Sequence, residues 1–135
     1  MKKRYLVSGL LIVILASLTV NLYLTFTSEK YPEKIKIEAK IDFGTSEKTE
    51  MVDVQNGTTV FEVLNSIATV EYKEYTGMGK FITSIDEVAQ SETHSWMYYV
   101  NDEYAQVACD KYALTEDSSF SFKYMSNEEA MGHVS

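Results

Sequence analysis

The chain has one cysteine, Cys109, so no disulfide can form within it. Proline is equally scarce, with Pro32 alone, and the only histidines are His94 and His133. Histidines so far apart in sequence are a poor basis for a transition-metal site, and no calcium loop of alternating aspartates is present. We therefore expect a domain whose fold depends on packing and hydrogen bonds, with no metal site and no bound cofactor.

Basic residues are also few in comparison with acidic ones. The 135 residues include 12 Lys and Arg against 20 Asp and Glu, a formal net charge of -8. Three of the basic residues stand at the start of the chain, at positions 2–4, which leaves nine against 20 in the rest. So acidic a surface excludes nucleic acid as a partner and does not suit an anionic lipid surface.

The one long apolar run is near the N-terminus. Residues 5–26 carry no charge, and about twenty apolar residues span a bilayer as a helix. The basic residues before this run place that end in the cytoplasm. We expect a membrane anchor over 1–27, a polar linker over 28–34 and an extracytoplasmic domain after it. A cleaved signal peptide is the alternative, and it would make the domain secreted, but residues 27–30 form a poor cleavage site.

Alternation of apolar and charged residues begins at Ile35 and continues to Phe43. A period of two predicts a strand with one buried face, and Glu50 to Val54 can return beside it as a hairpin partner. Thr59 with Glu62 fits a capping box, and an apolar stripe then predicts a helix of about three turns. The stripe consists of Val60, Val63, Leu64, Ile67 and Ala68.

Further strands are predicted from Val70 to Tyr75, from Lys80 to Ile85 and from His94 to Val100, with a polar loop at 86–92 and a closing strand around Phe120 to Tyr124. This order predicts an α+β, β-grasp-like mixed sheet with one short helix packed on one face. We assign the domain to 35–125 and expect a flexible tail over 126–135.

Five segments of the chain form a recognisable ordered set: Gly57–Leu64, Gly79–Ile85, Trp96–Asn101, Tyr112–Leu114 and Phe120–Tyr124. In this order they resemble the transcobalamin-like C-terminal domain family, which includes bacterial surface proteins and the C-terminal domains of transcobalamin and intrinsic factor. The resemblance covers residues 35–125. Two positions depart from the family pattern, because Ala108 and Glu116 stand where that family usually has glycine.

The resemblance implies a β-grasp-like domain and cobalamin, or another corrinoid, as a ligand. In the vitamin carriers of that family this domain covers one face of the corrinoid, and a separate helical barrel holds the other face. That barrel has no counterpart in this sequence, so we expect weaker binding.

The aromatic segment around Trp96 is the strongest site candidate in the sequence. On a strand, Trp96 and Tyr98 share one face and Tyr99 lies on the other. One of these faces must pack on the helix, so Trp96 is either a core residue or part of an exposed contact surface. The candidate ligand-binding residues are Phe81, Trp96, Tyr98, Tyr99 and Asn101; for Phe81 a core role, and for Asn101 a turn role, is the competing interpretation.

No catalytic arrangement is evident, since nothing orients Cys109 and His94 as a nucleophile and base. We expect a non-enzymatic, membrane-tethered module that binds a small molecule. The alternative is a protein-interaction or adhesion module that meets another surface protein through the aromatic strand or a free sheet edge.

Overall fold

The computed structural model describes residues 33–134, and the membrane anchor predicted for residues 5–26 lies outside them. Among the described residues, no helix combines the length and the apolar character needed to cross a membrane. The α+β class is confirmed. The elements are β1 (Lys34–Asp42), β2 (Glu47–Gln55), α1 (Val60–Ile67), β3 (Val70–Tyr75), β4 (Gly79–Ile85), β5 (Val88–Ala89), β6 (His94–Val100), β7 (Glu103–Tyr104), β8 (Ser118–Ser126) and α2 (Asn127–Val134).

Strand β1 has the predicted alternation. Its inward residues from Ile35 to Ile41 are at most 2% exposed, while charged residues between them face outward. β2 pairs with β1 in antiparallel register after a turn at Gly44, whose φ of +88° suits glycine. The returning strand is longer than predicted, since it starts at Glu47 rather than Glu50. The hairpin prediction is therefore confirmed with an earlier start.

The main sheet has the strand order β2-β1-β8-β6-β7. β8 runs parallel to β1, with Phe120 beside Ala39 and Phe122 beside Ile41, and β6 pairs with β8 in antiparallel register. A parallel pair cannot be joined by a tight turn, so the connecting chain must cross to the other end of the sheet. The connection holds α1, the three-stranded sheet β3-β4-β5, and the β6–β7 hairpin.

Helix α1 begins as predicted, because the Thr59 side chain accepts a hydrogen bond from the Glu62 backbone N–H at 3.2 Å. Val60, Val63 and Leu64 are buried against the sheet. The helix has eight residues, slightly more than two turns rather than three. It ends there because Ala68 adopts an extended backbone conformation and still packs on the core.

The C-terminal segment differs from the expected flexible tail. Residues Asn127–Val134 form helix α2, and Ala130 packs with Tyr99 and Met125 on the face of the main sheet opposite α1. Asn127 fixes the start of the helix, because its backbone N–H donates to the Thr93 carbonyl oxygen and its side chain accepts from Ser95 Oγ. The polar composition of this segment concealed the buried Ala130.

Two tight turns carry non-glycine residues with positive φ. Asp86 and Glu87 connect β4 to β5, and Asn101 and Asp102 connect β6 to β7. Two-residue hairpin loops of this kind match the right-handed twist of the strands. The loop predicted for residues 86–92 therefore contains a short strand, β5.

We expect Glu87→Asn to stabilise the protein by about 0.5–1 kcal/mol, because asparagine tolerates the left-handed conformation better than glutamate. The φ of Glu87 is +72°. Urea unfolding midpoints of the full-length chain measure the effect. Glu92→Asn is the matched control, since it removes the same charge from an exposed residue that is not among those with positive φ. Equal midpoints for the two variants would contradict the strain argument.

Candidate functional site

A cleft of about 600 Å³ opens between β4, β6 and the segment that follows β7. Its lining is mainly apolar and aromatic, with a few amide and ammonium groups, which is the usual composition of small-molecule sites. The lining residues are Gly77, Met78, Lys80, Phe81, Ile82, Gln90, Trp96, Met97, Tyr98, Tyr104, Ala105, Gln106, Val107, Ala108, Cys109, Lys111 and Phe122.

Trp96 lies at the base of the cleft and is 8% exposed. Its indole packs edge-on against Phe43 and tilted against Tyr124, and its Nε1–H donates to the Val88 carbonyl oxygen at 2.8 Å. The structure therefore places Trp96 mainly in the core, with one edge reaching the cleft. The hydrogen bond also ties β6 to β5.

Tyr98 forms part of the wall beside Trp96. Its ring stacks on Phe122, with centroids 5.2 Å apart, and its hydroxyl donates a hydrogen bond to the Val107 carbonyl oxygen. Burial raises the pKa of the Tyr98 hydroxyl, so this group stays protonated and remains a donor. The bond holds the segment after β7 against the sheet.

The segment from Ala105 to Tyr112 forms the opposite wall, and further hydrogen bonds fasten it to neighbouring elements. The Asp110 carboxylate accepts the Lys80 backbone N–H at 2.9 Å, and the Cys109 carbonyl oxygen accepts the Phe61 N–H at 3.0 Å. These bonds join the segment to the start of β4 and to the first turn of α1.

Gly79 makes the close approach to this segment possible. Its φ is +113°, and a Cβ atom at this position would lie 2.5 Å from Asp110 Oδ1 and 2.7 Å from the Cβ atom of Ala108. Both distances are too short for non-bonded atoms. Glycine is thus required at position 79 if the segment is to form the wall of the cleft. The sequence shows only that this glycine stands just before a predicted strand.

Cys109 is 2% exposed, and its Sγ lies 3.7 Å from the Lys80 carbonyl oxygen. Burial raises the pKa of the thiol from 9.0 to about 12, with a smaller contribution from the Asp110 charge. The thiol is therefore uncharged at neutral pH and is a poor nucleophile. Cys109 therefore serves as a small apolar residue in the lining of the cleft.

The rim of the cleft is exposed and apolar. Met78, Phe81 and Val107 are 62%, 39% and 50% exposed, respectively. On the far side of Met78 and Phe81 lies a second hollow of about 300 Å³, which Lys73, Tyr75, Thr83 and Gln90 also line. The two hollows share part of one rim, and an extended ligand can contact both.

Three of the five predicted site residues line the same cleft, namely Phe81, Trp96 and Tyr98. Tyr99 lies on the opposite face of the sheet, where Met125 and Ala130 cover it. Asn101 is in the β6–β7 turn, and its Oδ1 accepts the Ser119 backbone N–H at 3.0 Å. Phe81, which could have been a core residue, is at the rim instead.

Sequence reasoning missed much of the lining. Met78, Gln90 and Val107 are in turns or short loops that carry no recognisable motif. They meet only because the segment after β7 folds back on β4, which no local pattern reveals. Tyr104, which also lines the cleft, pairs with Tyr99 in the β6–β7 hairpin.

The histidine and acidic residues do not form a metal centre within residues 33–134, where no three His, Cys, Asp or Glu side chains are grouped to hold an ion. His94 stacks on the ring of Tyr124 at 5.1 Å, and its Nδ1 is 2.9 Å from Thr93 Oγ1. These contacts fasten the start of β6 to β8.

The fold and the cleft define a small α+β domain with an apolar cleft at the junction of two sheets. Residues 57–126 match the family described as "Domain of unknown function (DUF4430)", and the chain belongs to this family. The comparison with curated proteins finds no match.

Two solved structures share the fold. A Ruminococcus gnavus protein for which metal binding has been suggested is 20% identical, with a TM-score of 0.61, over 69% of this chain and 98% of that one. Haptocorrin, solved in complex with Cbi, is 15% identical with a TM-score of 0.61 over 69% of this chain. The match spans 25% of the haptocorrin chain, so the likeness concerns one part of that protein.

We expect Gly79→Ala to destabilise the protein by about 2–4 kcal/mol, because it adds a steric clash to an unfavourable φ. Gly77→Ala is the matched control, since Gly77 also has a positive φ, +81°, but a Cβ atom added there would meet no atom within 4 Å. Gly77→Ala should lower the free energy of unfolding by about 1 kcal/mol. Denaturant unfolding of both variants measures the difference, and equal losses would show that the close approach to Asp110 is unimportant.

Burial of Cys109 also predicts a pH dependence. The unfolded thiol loses its proton near its ordinary pKa of 9.0, and the folded thiol only near 12. The stabilisation is complete below pH 9.0 and is lost as the pH rises through 12. Urea midpoints measured from about pH 8 to about pH 11 should therefore fall less steeply in Cys109→Ala than in the native chain. Parallel curves for the two proteins would contradict the buried-thiol argument.

Proposed function

We propose that this protein is a membrane-tethered, extracytoplasmic module that binds a small molecule in the cleft and catalyses no reaction. The observation that carries the proposal is the cleft itself, with a rigid aromatic base and an exposed apolar rim. Such surfaces are usually covered by a ligand or a partner, because apolar area left in water is costly. The tether is the apolar run at 5–26, which precedes the domain in the sequence.

A corrinoid is the ligand that we propose. Haptocorrin was solved with Cbi, and the shared fold supports a similar use here. The parallel central pair β1–β8 with α1 across it is a β-grasp-like arrangement, as the resemblance to the transcobalamin-like family implies. A flat macrocycle fits a cleft whose rim is formed by side chains such as Phe81 and Met78.

The affinity should be modest. A single domain of this size can cover one side of a large flat ligand, while the other side remains in contact with water. We therefore propose micromolar or weaker binding, which suits a surface protein that captures a ligand and passes it on. Tight retention would require a second domain or a second protein.

The test uses the only tryptophan of the chain, Trp96, whose indole is at the base of the cleft. Cyanocobalamin added to the full-length protein should quench its fluorescence with saturation, because the corrin ring absorbs at the emission wavelengths of indole. N-acetyltryptophanamide at the same absorbance corrects for light absorbed by the ligand. Absence of a saturable change up to high micromolar ligand would refute corrinoid binding.

Variants locate the site. Phe81→Ala should weaken cyanocobalamin binding about fivefold, since about 1 kcal/mol of apolar contact is lost. Met51→Ala is the control, because Met51 is 65% exposed on β2 and does not line the cleft. Equal loss of affinity in both variants, or in neither, would place the ligand elsewhere.

A protein-interaction module remains the second candidate. The observation that favours it is the edge of β2, a nine-residue strand that pairs with β1 on one side, while no described strand pairs on its other side. Open edges of this length can accept a strand from another protein. If this candidate is correct, a protein partner binds at the β2 edge. Met51→Lys should abolish the binding of that partner, and Phe81→Ala should leave it unchanged.

A further inference from the structure

The charge of the cleft is opposite to that of the chain. Lys80 and Lys111 line the larger hollow and Lys73 the smaller one, whereas no aspartate or glutamate among the described residues lines either. The whole chain has 20 acidic residues against 12 basic ones. Acidic residues are thus common on this protein but are excluded from the lining of the cleft.

These three lysines are also unpaired. Within residues 33–134, the ion pairs involve Lys40 and Lys48 with acidic residues of β2 and the β4–β5 turn. None involves Lys73, Lys80 or Lys111. The Asp110 carboxylate accepts the backbone N–H of Lys80 at 2.9 Å and is not among the residues that line the cleft. Within residues 33–134, no ion pair joins these three ammonium groups to a carboxylate.

Aromatic rings hold two of the ammonium groups in place. Lys80 Nζ lies 4.6 Å from the ring centroid of Phe61 and 4.8 Å from that of Tyr72. Lys73 Nζ lies 5.4 Å from the centroid of Tyr75 at the smaller hollow. A cation over a ring face retains its charge and most of its hydrogen-bond donors. Both groups can therefore still attract an anion.

We propose that the cleft selects a small ligand in which an apolar ring system carries a carboxylate, sulfonate or phosphate group, and that Lys111 and Lys73 recognise this group. The inference rests on the proposed function, because it concerns the ligand of the same cleft. The apolar base accepts the ring system, and the lysines of the lining supply the positive charge that the rest of the surface lacks. Among corrinoids, this favours those with a phosphate or a free carboxylate over those whose side chains are all neutral amides.

A matched pair of probes tests the role of charge. Naphthalene-2-sulfonate and naphthalene-2-sulfonamide have the same rings, and only the first is an anion. Each is titrated into the ¹⁵N-labelled full-length protein, with shifts followed at cleft amides such as those of Gln90, Val107 and Cys109. We expect both probes to shift these amides, and the sulfonate to bind about three- to tenfold more tightly, as two solvent-exposed charge contacts allow.

The variant Lys73→Gln/Lys111→Gln should reduce sulfonate affinity to that of the sulfonamide and leave sulfonamide binding unchanged. Lys123→Gln is the control for net charge, because Lys123 Nζ lies over the ring of Tyr99, which does not line the cleft. The Lys123→Gln variant should still bind the sulfonate more tightly than the sulfonamide, with most of the original difference in affinity. We leave Lys80 unchanged because its ammonium group packs over the buried Phe61 ring.

The outcomes separate this inference from the proposed function. Equal affinity of the two probes at the cleft amides would overturn the charge selection and leave the cleft as a ligand site. Binding of neither probe at these amides would count against both the inference and the proposed site. A sulfonate preference that Lys123→Gln removes as fully as the double variant would assign the effect to net charge alone and overturn the inference.

Discussion

The parallel pairing of β1 with β8 is the constraint on which the rest of the domain depends. The two strands come from opposite ends of the domain, and Ala39 and Ile41 lie beside Phe120 and Phe122 at its centre. Parallel strands require a long connection, and this one contains every other described element except α2. The connection must cover the apolar face of the sheet, and the cleft opens where β4 and the segment after β7 meet over that face.

The cleft is held open by hydrogen bonds between distant segments rather than by a rigid element of its own. Trp96 ties β6 to β5, the Tyr98 hydroxyl ties it to Val107, and Asp110 ties the same segment to β4. The bonds made by Trp96 and Asp110 satisfy partly buried polar groups, so breaking either one leaves an unpaired donor or acceptor. The absence of side-chain bulk at Gly79 allows these segments to approach closely.

The cleft has an apolar base and no acidic residue in its lining, although the chain has a net charge of -8. This combination supports both the function and the ligand class that we propose. Burial of apolar surface contributes to affinity but does not depend on the orientation of the ligand. The ammonium groups in the lining contribute mainly to selectivity between ligands. In the same surface, the buried Cys109 thiol is protonated at neutral pH, and the Tyr98 hydroxyl fastens a wall of the cleft.

The sequence by itself determined the local elements. The alternation in β1, the Thr59 cap and the aromatic strand β6 are readable from periods of two and from capping chemistry, because they depend on neighbouring residues. It could not reveal the eight-residue length of α1, the helix at 127–134 or the lining supplied by Met78, Gln90 and Val107. Whether Trp96 faced the core or the solvent, and whether Tyr99 shared its site, depended on which sheet face the connection covered. Only the tertiary structure decided this, because contacts between segments far apart in sequence leave no periodic trace in either segment.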